Sequence, residues 1–256
     1  MNKKVVLLSG GCGLLGKEFA KTLSLIGYTV VVLDLHDKIT ENLSFISENC
    51  LGFFSVDITN EEDVEIVIEL IYDNYGRIDI LINCAAINFP PKEGANNSFE
   101  IYSLDKWNKT LSVNLTGAFL LSRECIKYML KNTNEGFKGT IVNIISDLGI
   151  ITSDQSIYEN GYIKPPDYGV SKAGLLHLTK YIGGYYRDKI KSVALSPGSV
   201  YNGQSDVLKK NLEDRIPIGR LAKVDEYNGA IKFLCSSDSD NMQGQNLVMD
   251  GGRSIW

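Results

Sequence analysis

Short apolar runs alternate with segments of helical period along the whole chain, and that alternation restricts the fold more than any other feature. Residues 3–9 form an apolar run that ends in glycines, and residues 17–26 then place Phe19, Leu23 and Ile26 at helical spacing. Residues 29–34 are apolar almost throughout, as suits a parallel strand covered on both faces. Further strands are expected at 52–56, 78–83, 140–145, 191–196 and 246–249, with helices at 61–75, 104–131, after Tyr168 and at 225–235. The order predicts an α/β fold, a doubly wound and mostly seven-stranded parallel sheet with helices on both faces. Such sheets bind ligands at the carboxyl ends of their strands, so polar residues just after strands become candidates.

The chain of 256 residues suits one domain spanning 1–256, with long loops near 87–99, 149–167 and 200–216. A hydrophobic fraction of 44% and a charged fraction of 22% are those of an ordinary globular protein. A net charge of -5 with dispersed lysines argues against nucleic acid as a partner. No apolar run approaches the roughly 20 residues of a membrane span, and 5–8 is too short for the core of a secretion signal, so a cytoplasmic protein is expected. Cys12, Cys50, Cys84, Cys125 and Cys235 are odd in number and without ligand spacing, which predicts reduced structural thiols. His36 reads as a loop residue and His177 as a helix-packing one, so no metal site is expected.

Between the first strand and the first helix lies Ser9-Gly10-Gly11-Cys12-Gly13-Leu14-Leu15-Gly16, in which Gly11, Gly13 and Gly16 have the G-x-G-x-x-G spacing of a Rossmann-type dinucleotide site. A tight turn without side chains lets backbone N–H groups and a helix N-terminus approach a pyrophosphate. Asp34 ends the second strand, where a carboxylate can accept hydrogen bonds from ribose hydroxyls and repel a 2′-phosphate. No Lys or Arg occurs in the turn, which favours NAD over NADP, while His36 and Lys38 pull the other way. Asp34 could also be no more than a strand terminator.

Taken in order, the glycine turn, Asp57, Asn83-Cys84-Ala85-Ala86, Asn114, Ser146, Tyr168-Gly169-Val170-Ser171-Lys172 and Pro197-Gly198 resemble the short-chain dehydrogenase/reductase family over almost the whole chain. The resemblance implies an oxidoreductase acting on CH–OH groups. It also implies that Asp57 and Ile58 approach adenine, that the Asn83 segment with Ala85 lines the cofactor channel, that Val200 reaches the nicotinamide amide, and that Pro197 and Gly198 contact the cofactor. Leu14 stands where family members of this length have glycine, and Cys84 and Ala86 depart from the usual Asn-Asn-Ala-Gly. The Gly10, Gly13 and Gly16 spacing resembles instead the turn of a longer, sugar-nucleotide-modifying branch, whose separate substrate domain this chain is too short to contain.

Tyr168 and Lys172 are four residues apart on an expected helix, so their side chains rise from one face. A neighbouring ammonium would draw a phenol toward phenolate and make it a better base. Such a pair in isolation could equally be an exposed helix face. Ser146 follows a strand, at the edge where it can hydrogen-bond a substrate oxygen, the role the resemblance also assigns it. The resemblance places Asn114 as the holder of a relay water that continues through Lys172, and expects Tyr168 and Lys172 to touch the cofactor as well.

The stretch between Ser146 and Tyr168 is longer than in many family members, and Tyr158, Glu159 and Lys164 are expected to shape a polar substrate pocket. An inert surface loop is the alternative. Residues Pro165-Pro166-Asp167-Tyr168, His177 to Tyr181 and the terminal Gly251-Gly252-Arg253-Ser254-Ile255-Trp256 resemble a bacterial subgroup of flagellin-modification or surface-sugar oxidoreductases. A phosphorylated or nucleotide-linked sugar alcohol is the substrate this implies. Reduction of a 3-oxoacyl group and non-catalytic NAD-dependent regulation are the competing readings. Leu175, Leu176, Leu178, Ile182 and Tyr185 exceed one buried stripe, so a homodimer or homotetramer using this helix is expected.

Overall fold

Strand polarity determines where the site can be. In the computed structural model, which describes residues 3–49, 51–89, 98–134, 136–159 and 161–255, seven strands run in parallel. They are β1 (Val5–Ser9), β2 (Thr29–Asp34), β3 (Gly52–Ser55), β4 (Ile80–Asn83), β5 (Gly139–Ile144), β6 (Ile190–Pro197) and β7 (Asn246–Met249). Their spatial order is β3-β2-β1-β4-β5-β6-β7, so the chain reverses direction across the sheet between β1 and β4. The carboxyl ends of those two strands flank the crevice in which such a sheet binds ligands.

The helices are α1 (Leu14–Leu25), α2 (His36–Glu41), α3 (Leu43–Glu48), α4 (Glu61–Tyr75), α5 (Leu104–Leu111), α6 (Ala118–Met129), α7 (Pro166–Tyr186), α8 (Asp206–Glu213) and α9 (Asn228–Cys235). Each strand alternates its side chains between two cores. Val6, Leu8, Val30 and Val32 pack with Phe19 and Leu23 of α1 and Ile231 and Leu234 of α9. Leu7, Val31, Leu33 and Leu81 face the other way, against Ile68 and Ile71 of α4 and Leu121 and Met129 of α6. Each fully buried aliphatic side chain contributes about 1.5–3 kcal/mol, and both faces need that covering because both are apolar.

The strands fall where the periodicity places them to within two residues and the expected helices to within three; α2, α3 and α8 are additional, and three differences of substance remain. The helix expected over 104–131 is interrupted by a π-helical segment, Ser112–Gly117, between α5 and α6. Gly117 closes this segment against Ile58, whose side chain lies 2.7 Å from where a Cβ would stand. His36 begins α2 instead of lying in a loop, and His177 is exposed on α7 instead of packing inward. Cys12, Cys84, Cys125 and Cys235 are free thiols, and Cys50 lies outside the described residues, as do Pro90, Pro91, Gly94, Asn160 and Trp256. Among the described residues no helix is long and apolar enough to cross a membrane.

The start of α1 rests on a backbone contact that tolerates no side chain. A Cβ on Gly16 would lie 2.1 Å from the Gly10 carbonyl oxygen and 2.8 Å from Gly11 Cα. Gly16→Ala must therefore push α1 away from the turn, and overpacking of this kind costs about 1–3 kcal/mol. Urea denaturation of the variant should show that loss, and an unchanged midpoint would contradict the contact.

Candidate active site

A cleft of about 1320 Å³ runs along the carboxyl edge of the sheet, from the glycine turn to the segments before α7 and around α8. Its first end is built by the turn itself. Gly10 has φ +67, and a Cβ there would meet Ala85 Cα at 2.6 Å, so glycine lets β1 and β4 end side by side. Gly13 and Leu14 open α1, whose first turn carries no acidic residue and no side-chain cap, leaving its N–H groups directed at the cleft. Gly10, Gly13, Leu14, Leu15 and Gly16 all line the cleft. Gly11 does not: its α-carbon faces Val32, with Cγ1 2.7 Å from a built Cβ, so this glycine serves packing against β2.

Asp34 is held from two sides, Oδ2 accepting from the Cys12 N–H at 3.0 Å and Oδ1 from the Leu35 N–H at 3.0 Å. A carboxylate thus stands beside the α1 N-terminus, with Lys38 on the same wall but ion-paired to Glu41 at 2.9 Å. Asp57 and Ile58 line the next stretch, where the Asp57 carboxylate accepts from the Thr59 N–H and hydroxyl. Ala85, Pro197, Gly198 and Val200 line the middle. An uncapped helix end for a pyrophosphate, a carboxylate for a ribose diol and an elongated floor fit a nicotinamide dinucleotide.

Two expected site residues stand behind the wall. Asn83 is buried and gives its amide to Asn143 Oδ1 at 2.8 Å and Ser122 Oγ at 3.0 Å, joining β4 to β5 and α6. Asn114 lies in the π-helical segment, its Oδ1 accepting from the Ile87 N–H at 2.8 Å and its amide donating to Ile87 O at 3.0 Å and Ser171 Oγ at 3.1 Å. Its side chain is therefore spent on shaping the segment after β4.

Ser146, Tyr168 and Lys172 come together at the centre of the cleft. The Ser146 hydroxyl lies close enough to the Tyr168 phenol to favour its ionised form. Lys172 Nζ donates to Ile144 O at 2.7 Å and lies 5.8 Å from the Tyr168 ring centroid. Burial pushes the phenol up to about 12, opposed by the Ser146 hydroxyl, and pushes Lys172 down to about 8. The ammonium was expected to draw the phenol toward phenolate; in this structure desolvation of the charged form is the larger effect on both groups.

Four further residues line the far end, Asp147 and Arg253 not anticipated, Lys164 and Tyr158 expected. Asp147 Oδ1 accepts from the Ser146 hydroxyl at 2.8 Å, and its Oδ2 accepts from Arg253 Nη1 at 2.8 Å. Both partners of this ion pair are buried. Their separation of 106 residues left no local signal, although Asp147 beside a catalytic-type serine was visible. Lys164, expected in the pocket, lines it with its ammonium 5.2 Å from the Tyr168 ring centroid. Tyr158 lines it as well, its ring 5.1 Å from that of Tyr162. Glu159 turns away and accepts from the Ser205 hydroxyl at 3.0 Å. It helps tie the insertion to the α8 segment, as do Asn211 Nδ2 donating to Ile157 O at 2.8 Å and an ion pair between Arg215 and Asp154.

The candidate site is made of these parts together: an elongated floor shaped for a dinucleotide, and a buried phenol and a serine on one stretch of its wall. Residues 14–254 match the family model described as enoyl-(acyl carrier protein) reductase. The chain is 28% identical to the 3-oxoacyl-[acyl-carrier-protein] reductase FabG of Thermotoga maritima, over 98% of each chain. A short-chain dehydrogenase of Leptospira borgpetersenii solved with bound NAD+ superposes with a TM-score of 0.84 at 30% identity, covering 100% of this chain and 94% of that one. A gluconate 5-dehydrogenase of Burkholderia cenocepacia, solved with NADP and tartrate, superposes with a TM-score of 0.85 at 25% identity, covering 100% and 97%. The chain belongs to the short-chain dehydrogenase/reductase family, and is an oxidoreductase of that family.

Breaking the Asp147–Arg253 pair should be expensive, because Arg253→Met leaves a buried carboxylate without its cation. A loss of about 3–5 kcal/mol is expected from denaturant unfolding. A loss under about 1 kcal/mol, the range of exposed pairs, would mean that water already compensates Asp147.

Proposed function

We propose that the protein interconverts a secondary alcohol and a ketone, with Tyr168 as the group that exchanges the hydroxyl proton. The observation that carries this reading is the convergence of Tyr168, Ser146 and Lys172 on one stretch of the cleft, with the Lys172 ammonium 5.8 Å from the Tyr168 ring centroid. The nicotinamide, when bound, accepts or delivers the hydride. Ser146 orients the substrate oxygen, with Asp147 and Arg253 holding the serine in place. In oxidation Tyr168 takes the hydroxyl proton, and in reduction it returns one to the developing alkoxide. Lys172, anchored on the Ile144 carbonyl, supplies positive charge behind the phenol. Asn114 acts by fixing the Ile87 backbone and Ser171, with its own backbone as the site for a relay water.

NAD is the proposed dinucleotide, because the Asp34 carboxylate occupies the place where a 2′-phosphate would bring a second negative charge. The relatives solved with NAD+ and with NADP are each compatible with the fold. The proposed substrate is a sugar-type alcohol, including phosphorylated or nucleotide-linked forms of the kind used in surface-glycan pathways such as flagellin modification. The polar wall at the far end supports it, as does similarity to a gluconate 5-dehydrogenase. Reduction of a 3-oxoacyl group is the second reading, favoured by the FabG relative. We place the protein in the cytoplasm as a homo-oligomer paired through α7, where Tyr181 and Tyr185 are stacked and exposed at 61% and 66%.

The test is turnover of a panel of sugar alcohols, sugar phosphates, nucleotide sugars and a 3-oxoacyl thioester, each with NAD and NADP. Tyr168→Phe should abolish turnover while NAD binding persists. Because burial holds the phenol protonated, wild-type oxidation should accelerate as pH rises through the neutral and mildly alkaline range, the deprotonated fraction growing with pH. Full activity of Tyr168→Phe, or oxidation that slows over that range, would refute the assignment.

A further inference from the structure

Lys164 is a buried cation lining the substrate end of the cleft, with no ion-paired carboxylate among the described residues. It is 8% exposed, and its ammonium donates to the neutral amide oxygen Oδ1 of Asn88. The acids nearest to it are already engaged. Asp147 is shared between Ser146, the Leu148 N–H and Arg253. Asp167 accepts from the Tyr102 hydroxyl at 2.8 Å, the Thr110 hydroxyl at 2.5 Å and the Tyr168 N–H at 2.8 Å. Arg253, the other cation of this wall, is neutralised by Asp147.

The position of Lys164 is built, not incidental. Gln155 grips its backbone from both sides, Oε1 accepting from the Lys164 N–H at 2.8 Å and Nε2 donating to its carbonyl at 3.2 Å. That clamp turns a lysine in a long insertion inward, where its ammonium lies 5.2 Å from the Tyr168 ring centroid. A buried ammonium without a carboxylate in direct contact is held at a cost, and an anion brought to it would relieve that cost. Burial pushes this lysine down to about 8, outweighing the opposing pull of the Asp167 and Asp147 charges.

We infer that Lys164 is a specificity-determining residue, and that the substrate carries an anionic group, a carboxylate or a phosphate, a few bonds from the alcohol that Tyr168 acts on. The inference rests on the alcohol–ketone reading and narrows it. An anion at Lys164 stands next to the phenol, so the group must be close to the reacting carbon and not at the end of a long tail. Neutral polyols of the same stereochemistry leave the ammonium uncompensated and bind less well.

The experiment compares matched pairs on the wild-type enzyme: a hydroxy sugar acid against its neutral polyol, and a sugar phosphate against the free sugar. A charge-assisted hydrogen bond in a buried site predicts kcat/KM higher by roughly 10- to 100-fold for the charged member of one pair. The pair that shows the preference tells carboxylate from phosphate. Lys164→Met should bring the charged-to-neutral ratio toward one, acting mainly through KM, and Lys164→Arg should retain part of it. NAD binding measured by fluorescence reports whether the variants are folded, and the wild-type comparison stands without them. Equal kcat/KM for charged and neutral members in both pairs would overturn the inference, as would Lys164→Met slowing both members alike. No turnover with any alcohol would instead sink the alcohol–ketone reading itself.

Discussion

The hydrogen bond from Lys172 Nζ to the Ile144 carbonyl, at 2.7 Å, fastens α7 to the carboxyl end of β5, and the geometry of the active centre follows from it. Lys172 is 1% exposed, so its ammonium must find an acceptor inside the protein, and the last carbonyl of a strand is one that the ladder leaves free to turn. With Lys172 tied there, Tyr168, one turn earlier on α7, faces Ser146, two residues beyond Ile144. Gly149 makes the approach possible, since a Cβ at that position would lie 3.0 Å from both the backbone carbon and the Cβ of Lys172. Strand end, glycine and helix thus form one unit, and the phenol and serine meet because their carriers are locked together.

Charge is distributed along the cleft in the same economical way. At one end Asp34 is stabilised by two backbone N–H groups without a cation, which leaves a negative point beside a helix N-terminus. At the other end Asp147 is balanced by Arg253, so the serine it holds sits in a locally neutral network. Between them the phenol and the Lys172 ammonium are both driven toward their neutral forms by burial. Desolvation therefore governs the ionisation of both groups, whatever the proximity of the phenol and the ammonium on one helix face.

What could be read from the chain was whatever repeats or is local. The strands announced themselves because both faces are apolar, and the glycine turn because several glycines stand in one strand-to-helix connection. Tyr168 and Lys172 share a helix face, which spacing alone reveals. What was not legible has a common physical origin in contacts distant along the chain. Gly11 matches a motif position, yet it is Val32, on the neighbouring strand, that requires it. Asn114 carries a family position, but its partners are Ile87 and Ser171. Arg253 reaches Asp147 from the far end of the chain. No periodicity encodes which polar group a buried residue will meet, and the π-helical segment around Asn114 is likewise a tertiary demand written in no local propensity.

The substrate wall is made differently from the floor. Floor residues lie at strand ends and on α1 and α7, elements anchored in the two cores. The wall is carried by the insertion before α7 and by the α8 segment, which pack on each other through Ile157, Leu212, Ile216 and Leu221. The Ser205–Glu159 and Asn211–Ile157 hydrogen bonds add to that small core. The wall thus has a core of its own, and Lys164 is set toward Tyr168 by the backbone grip of Gln155 and by its hydrogen bond to Asn88. Chemistry and selection are thereby carried by separately stabilised parts of one chain, which is how a shared fold can serve alcohols of different kinds.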